Sequence, residues 1–257
     1  MTQYQFQKVS LDSQVPAVRL LVYGGTDAGK TYFAGTAAHA IYLDTENGYQ
    51  TLRALPKVPR RIFTTETLAG VRQIIELVQN QREQITAQTG WEPEVFVLDT
   101  ITMSQDWETL TIMDKQKDQE KFDYDVWRVL LLRGLRIMRP MVKSPALHIL
   151  CLAQQREIEG RFMPAMRGYL GDHIGGYFDI VAYLEKIGTI RRLWFDHPDH
   201  LTRCRFPGFP KSIDNPTFQK VIDLVAESVS GDKEEPQPEP QDDSEKAHPE
   251  PTEKEGE

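Results

Sequence analysis

Residues Gly24-Gly25-Thr26-Asp27-Ala28-Gly29-Lys30-Thr31 fit the pattern G-x-x-x-x-G-K-[ST], and an apolar run (residues 18–23, VRLLVY) ends directly in front of the first glycine. This spacing constrains the fold more than any other feature of the chain. The loop works only if a buried strand delivers it and a helix follows it. Its glycines then let successive backbone N–H groups turn inward as an anion nest, and the start of the helix adds a favourable dipole. On these mechanics Lys30 reaches the β- and γ-phosphates of a nucleoside triphosphate, and the Thr31 hydroxyl ligates Mg²⁺. Gly24, Gly25, Thr26, Asp27, Ala28 and Gly29 form the cradle.

The rest of the first 229 residues alternates short apolar runs with helical patterns, as a parallel α/β sheet demands. Strands are predicted at 18–23, 40–43, 62–64, 95–98 and 147–152. A helix begins near Lys30, a second places Leu68, Val71, Ile75 and Val78 on one face, and a third covers 126–138. Residues 180–184 and 190–195, around Gly188, read as late strands forming an antiparallel extension. Asn215-Pro216 opens a last helix with Phe218, Val221, Ile222 and Val225 on its apolar side.

Charge separates this part of the chain from the remainder. Of 38 acids and 30 bases, eleven acids and three lysines lie from residue 230 onward, so residues 1–229 carry 27 of each. Residues 230–257 are rich in Pro, Glu and Asp, lack apolar periodicity and cannot bury enough surface to fold. We therefore read one domain over 1–229 and a disordered acidic tail over 230–257. Two readings of the tail stand: a solubilising appendage, or a regulatory segment that competes with a polyanion for a basic groove or docks on a partner. Two cysteines, Cys151 and Cys204, exclude a disulfide scaffold. The longest apolar stretches, such as 146–153, are too short to span a bilayer, and the first residues lack the apolar region of a signal peptide. The expected setting is soluble and cytoplasmic, with no membrane partner.

Asp99 closes the strand Val95-Phe96-Val97-Leu98, where a carboxylate holds Mg²⁺ through water. Residue 100 is Thr, so the glutamate that some ATPases place directly after this aspartate is absent. Glu46, in the stretch Leu43-Asp44-Thr45-Glu46-Asn47, is the candidate general base. A second strand adjacent to the phosphate-loop strand would aim its carboxylate at a water poised on the γ-phosphate. No N-K-x-D or T-K-x-D occurs, which leaves guanine-specific chemistry unsupported, and Gly25 stands where deviant-loop partitioning ATPases carry Lys.

A glutamate ending the second strand within an LDTE-type motif resembles the RecA and Rad-type recombinase class of P-loop ATPases. The order phosphate loop, LDTEN, VFVLDT, then a strand ending in Gln154 matches that core. The chain is most similar to phage-type AAA-domain ATPases, including the Sak-group single-strand annealing recombinases. The segment Gly176-Tyr177-Phe178-Asp179 looks like a GYFD-type element of that group. The resemblance covers roughly residues 15–229. It implies a RecA-like P-loop core, ATP with Mg²⁺, ATP hydrolysis, and a homo-oligomer with nucleotide at the subunit interface. Single-stranded DNA and a single-strand-binding protein are the implied partners. It also implies that Gln154, or Gln155 one residue on, senses the γ-phosphate. Among residues a neighbouring subunit could borrow, Lys211, Arg205 and Arg156 remain open. Phage relatives carry Gly-Pro-Pro-like residues where this chain has Gly25-Thr26-Asp27, and an acid there weakens nucleotide affinity unless it faces solvent.

In such proteins the loops after the Asp99 and Gln154 strands carry DNA. The first, residues 105–125, has Lys115, Lys117 and Lys121 interleaved with Asp114, Asp118 and Glu120; this near balance of charge favours a solvated helical insert over a DNA loop. The second, residues 155–171, holds Arg156, Arg161 and Arg167 with Phe162 and Tyr169, the composition that phosphate contact and base stacking use. On the helix from Val126, Arg128, Arg133, Arg136 and Arg139 fall within an arc of about 140°, opposite Trp127, Leu131, Leu135 and Met138. His148 lies in an apolar strand as a core residue, and His173, His197 and His200 lack metal-ligand spacing. Two other readings stand beside DNA recombination: a nucleotide-dependent regulatory or assembly ATPase that contacts only protein, which the neutral core favours, and a small-molecule kinase.

Overall fold

The computed structural model describes residues 15–115, 124–142, 147–166, 171 and 173–230. Lys117, Lys121, Arg167, Tyr169 and the tail beyond Ser230 lie outside them. Six helices are used below: α1 (Lys30–Ala34), α2 (Leu68–Asn80), α3 (Arg82–Thr89), α4 (Ile101–Met113), α5 (Tyr124–Val142) and α6 (Phe218–Ser230). The strands are β1 (Arg19–Gly24), β2 (Ala40–Asp44), β3 (Arg60–Thr64), β4 (Val95–Asp99), β5 (His148–Ile158), β6 (Arg161–Pro164), β7 (Ile180–Ile187), β8 (Ile190–Trp194), β9 (Arg203–Cys204) and β10 (Ser212–Asp214).

The main sheet runs β10-β8-β7-β1-β5-β4-β2-β3, parallel from β7 through β3. The expected antiparallel extension is present: β8 pairs with β7 and β10 with β8. β6 folds back on β5, and β9 on β7. The central strands are buried on both faces, which is why they read as continuous apolar runs without alternation. Leu21, Ile41, Phe96 and Ile149 point to one face, where α2 and α5 bring Val71, Ile75, Ile137 and Met138. Leu20, Tyr42, Val97 and Leu150 point to the other, covered by Phe33 of α1 and by Phe218, Val221 and Val225 of α6. Ile222 packs only partly buried against that second face.

Four expectations need correction. β2 does not adjoin the phosphate-loop strand, because β5 and β4 stand between β1 and β2. The favoured helical insert is helical where α4 covers it but is not solvated: Gln105, Glu108, Thr109 and Ile112 are buried. Much of the second loop is a hairpin: β5 runs on to Ile158 and returns as β6 through Glu159 and Gly160, both at positive φ. On α5, Trp127 is exposed instead of facing the core, and Arg133 pairs with buried Glu108, so the basic stripe is partly structural. His148 is half-buried; its Nδ1 accepts from the Val18 N–H at 3.0 Å, and burial lowers its basicity.

An ion-pair knot closes the edge opposite the phosphate loop. Asp179, just before β7, accepts from Arg19 through the backbone N–H (3.0 Å), Nε (2.8 Å) and Nη2 (2.5 Å), and from Arg205 Nη1 at 3.2 Å. Because Asp179 is buried, removing its carboxylate deprives the part-buried Arg19 guanidinium of its anion, while Arg205 keeps the Gly176 carbonyl and solvent. Asp179→Ala is expected to cost about 3 kcal/mol of stability, read as a shift in the urea midpoint at unchanged m-value.

Candidate nucleotide site

The site sits at the carboxyl ends of the parallel strands, where open α/β sheets place their ligands. β1 stops at Gly24, and a methyl group there would lie 2.2 Å from the Leu184 carbonyl oxygen of β7, so only glycine lets the loop leave the sheet. The loop then turns into α1. Asp27 adopts a positive φ and is exposed, the solvent-facing position that spares the loop an acid beside bound phosphates.

The β1–β5 register sets Gly24 beside Gln154. Lys30 is buried, and its ammonium donates to the Gly24 carbonyl (3.0 Å), the Gly25 carbonyl (2.9 Å) and Gln154 Oε1 (2.9 Å). Burial pulls its pKa down, opposed by the negative charges of Glu46, Asp99 and Asp27. The Gln154 amide nitrogen lies 3.4 Å from both Glu46 carboxylate oxygens. Lys30, Gln154 and Glu46 are therefore brought together in one chain of contacts. Gln155 also faces the loop, its Oε1 3.9 Å from a methyl built on Gly25, but that oxygen is buried with no hydrogen-bond partner.

Glu46 reaches this point although its strand is remote from β1. Asp44 ends β2 and accepts from the Glu46 N–H (2.9 Å) and the Tyr49 N–H (2.7 Å), an Asx-type turn that reverses the chain. Thr45 ties the turn to the loop after β4: its hydroxyl bonds the Thr100 carbonyl (2.9 Å) and accepts from the Thr100 N–H (2.9 Å). Thr100 caps α4 by accepting from the Met103 N–H at 3.2 Å, and its hydroxyl donates to Glu46 Oε1 at 2.5 Å. The residue standing where other ATPases carry glutamate thus holds the glutamate that arrives from β2.

Asp99 is 1% exposed. Its Oδ2 accepts from the Thr31 hydroxyl at 2.7 Å and from the Tyr42 hydroxyl. Burial pushes its carboxyl up to about 6, helped by the charges of Glu46 and Asp44, while the Tyr42 and Thr31 hydrogen bonds pull it down. A carboxylate and a hydroxyl converging beside the phosphate loop are hard oxygen donors suited to Mg²⁺. No group of three or more His, Cys, Asp or Glu among the described residues is arranged to hold a metal alone. Two protein oxygens completed by phosphate and water are the arrangement Mg²⁺ takes at triphosphates.

The other candidates are spread more widely. Arg156, Arg161 and Phe162 lie on the β5–β6 hairpin that continues from Gln154. Arg161 is exposed, and the Phe162 ring stacks on His200 at 4.7 Å. Lys211 is exposed, whereas Arg205 is engaged by Asp179 and by the Gly176 carbonyl. The sequence reading missed Tyr42, Thr100 and Thr102, whose hydroxyl accepts from the Gln154 N–H at 3.0 Å and donates to the Ala165 carbonyl at 2.8 Å. An "LDT" repeated at the ends of β2 and β4 was the available signal for the Thr45–Thr100 pairing, and nothing local marked Thr102. A cavity of about 610 Å³ lined by Tyr49, Leu52, Arg60 and Ile62 borders the Asp44 turn but includes none of Lys30, Thr31, Glu46, Asp99 or Gln154.

Phosphate loop, buried strand-end aspartate and parallel sheet define a P-loop nucleotide-binding protein of the ATPase type. Residues 17–203 match the AAA domain family, and the chain belongs to it. No curated protein matches the chain. No helix among the described residues is long and apolar enough to cross a membrane.

The Asp99 carboxyl has a pH consequence. Its folded pKa of about 6 lies above the reference of 3.8, so between these values the native state binds more protons than the unfolded one. Stability therefore falls as pH rises through that window, by on the order of 2–3 kcal/mol, and the penalty is fully present above it. Asp99→Asn is expected to be more stable than the parent at pH 8 without nucleotide, with the difference shrinking towards pH 4. Paired urea titrations across this range check it.

Proposed function

We propose that the chain is a RecA-like ATPase that hydrolyses ATP with Mg²⁺ and acts on single-stranded DNA in phage-type recombination or annealing, resembling the Sak group. What carries the reading is Gln154. Its side chain touches both Lys30 and Glu46, and its backbone continues directly into the hairpin bearing Arg156 and Arg161. All three protons of the Lys30 ammonium are already engaged, two by fixed backbone carbonyls and one by the Gln154 side chain. A γ-phosphate oxygen that takes one of these protons displaces the partner that can rotate away, which is Gln154. Nucleotide occupancy is thereby communicated to the hairpin.

In hydrolysis, Glu46 accepts the proton of a water whose oxygen attacks the γ-phosphorus, and the bond to the bridging oxygen breaks to leave ADP. Thr100 holds the Glu46 carboxylate for that step. Thr31 and Asp99 would hold Mg²⁺, which neutralises charge on the phosphate oxygens. The family match, the parallel core and the Lys30–Gln154–Glu46 contacts support nucleotide chemistry. The DNA partner rests on the hairpin's arginines and on the resemblance.

A second reading, an assembly or regulatory ATPase that contacts protein, is favoured by Phe162, whose ring is engaged within the chain by His200. ATP hydrolysis measured with and without single-stranded DNA separates the two. Stimulation of about tenfold or more is expected, with Lys30→Ala as the inactive reference. Glu46→Gln is expected to lower the rate by about 10²–10⁴-fold while retaining ATP binding. A slow rate indifferent to DNA would overturn the DNA reading and leave the protein-contacting one.

A further inference from the structure

Because β7 runs parallel to β1 and β8 returns antiparallel to β7, the β7–β8 turn at Gly188 lies on the same edge of the sheet as the phosphate loop. Arg191, the second residue of β8, comes back across that loop. Its guanidinium carbon stands 4.1 Å from the centroid of the Tyr32 ring. A methyl group built on Gly29 would lie 2.3 Å from Arg191 Nε and 2.7 Å from its Cδ. Gly29 is required by its φ of 94°, and a side chain there would in addition push the arginine aside.

The partners of this arginine set it apart from its neighbour. Arg191 Nε is buried with no hydrogen-bond partner, and no carboxylate pairs with this guanidinium among the described residues. Its neighbour Arg192 is neutralised by Asp214 through two contacts of 2.6 and 3.0 Å. The backbone of Arg191 is also held: its carbonyl accepts from the Asn215 N–H at 2.6 Å, and its own N–H donates to Asn215 Oδ1 at 3.3 Å. Two adjacent arginines on one short strand thus have opposite fates. One completes an ion pair on the surface, and the other is propped on Tyr32 over the glycine that precedes Lys30. Leaving a part-buried guanidinium without an anion is costly unless an anionic ligand completes it.

We propose that Arg191 is a phosphate-binding residue for the nucleotide, a second cation that the antiparallel extension supplies to its own subunit's loop, with Tyr32 as the shelf that aims it. The loop is then gripped from two sides. Lys30 faces β5 with Gln154 and Glu46, and Arg191 approaches from the β7–β8 side. A planar guanidinium with several fixed donors suits a phosphate chain better than a second ammonium would. This inference rests on the nucleotide-binding reading of the loop and adds a residue that the loop motif does not contain.

The test measures binding of ATP, ADP and inorganic tripolyphosphate to the full chain and to Arg191→Ala, Arg191→Lys, Arg192→Ala and Lys30→Ala, alongside thermal melts without ligand. For Arg191→Ala all three affinities are expected to fall by about 10- to 50-fold, with the melting temperature unchanged or raised. Arg191→Lys should recover part of the loss, and Arg192→Ala should bind within about twofold of the parent. Unchanged affinities in Arg191→Ala would overturn the proposal. So would a variant that keeps its tripolyphosphate affinity and alters only the preference for ATP over GTP, since the guanidinium would then serve the base. If Lys30→Ala bound all three ligands like the parent, the nucleotide reading itself would fail, whatever Arg191 does.

Discussion

A lysine ammonium has three protons, and in this protein each has an acceptor before any phosphate is considered. Two acceptors are carbonyls of the loop that carries Lys30, and the third is the side chain of Gln154 on the neighbouring strand. That third bond exists only because β5 lies directly beside β1, with Gly24 and Gln154 in register. The strand order thus places a polar side chain between the phosphate loop and the strand ending in Asp99. Glu46 and Thr100 complete the polar group from the far side. Each member is held by a backbone feature: a register, an Asx-type turn or a helix cap. A one-residue slip in β5 would turn Gln154 to the other face and disconnect the whole set.

The electrostatics follow from the same arrangement. Lys30 and Asp99 are both buried, and each loses hydration on folding. Neither touches the other directly, so their mutual attraction only partly offsets that cost. Burial lowers the pKa of the lysine and raises that of the aspartate, each shifted towards its neutral form. A divalent cation at Thr31 and Asp99 and an anionic phosphate chain at Lys30 would each reverse one of these shifts. On the proposed nucleotide reading, the ligand would supply the opposing charges, and a cation or a phosphate bound alone would meet only half of the demand. The site would then favour the metal–nucleotide pair over either component.

How much of this was legible in the sequence depends on the range of the signal. Gly24 to Thr31 could be read because the loop, its strand and its helix are contiguous, and Asp99 because an apolar run ends on it. Gln154 was reached by counting strands, and the choice over Gln155 needed the register that only the β1–β5 pairing supplies. Glu46 was placed on the right strand for a wrong reason: β2 is not beside β1, and the carboxylate arrives through the Asp44 turn. The segment after Gln154 read as a loop because its Arg and Glu residues mask the alternation of a two-stranded hairpin with little core to face. Arg191 was invisible, since nothing local distinguishes it from Arg192, and only the pairing of β7 with β1 brings it to Gly29.

The continuity of β5 has a mechanical consequence. One strand carries the chain without interruption from the core through Gln154 to Ile158, four residues beyond the contact with Lys30. At the rise of an extended strand this is an arm of about 13 Å. Stiffened by its pairing with β6 and anchored at Thr102 and Ala165, the arm behaves as a lever. A rotation of about 5° at Gln154 would displace the tip at Glu159 and Gly160 by about 1 Å. A hydrogen bond is made or lost over such a distance, so on the proposed reading an exchange of acceptors at Lys30 that turned this strand would be felt at the far end of the hairpin.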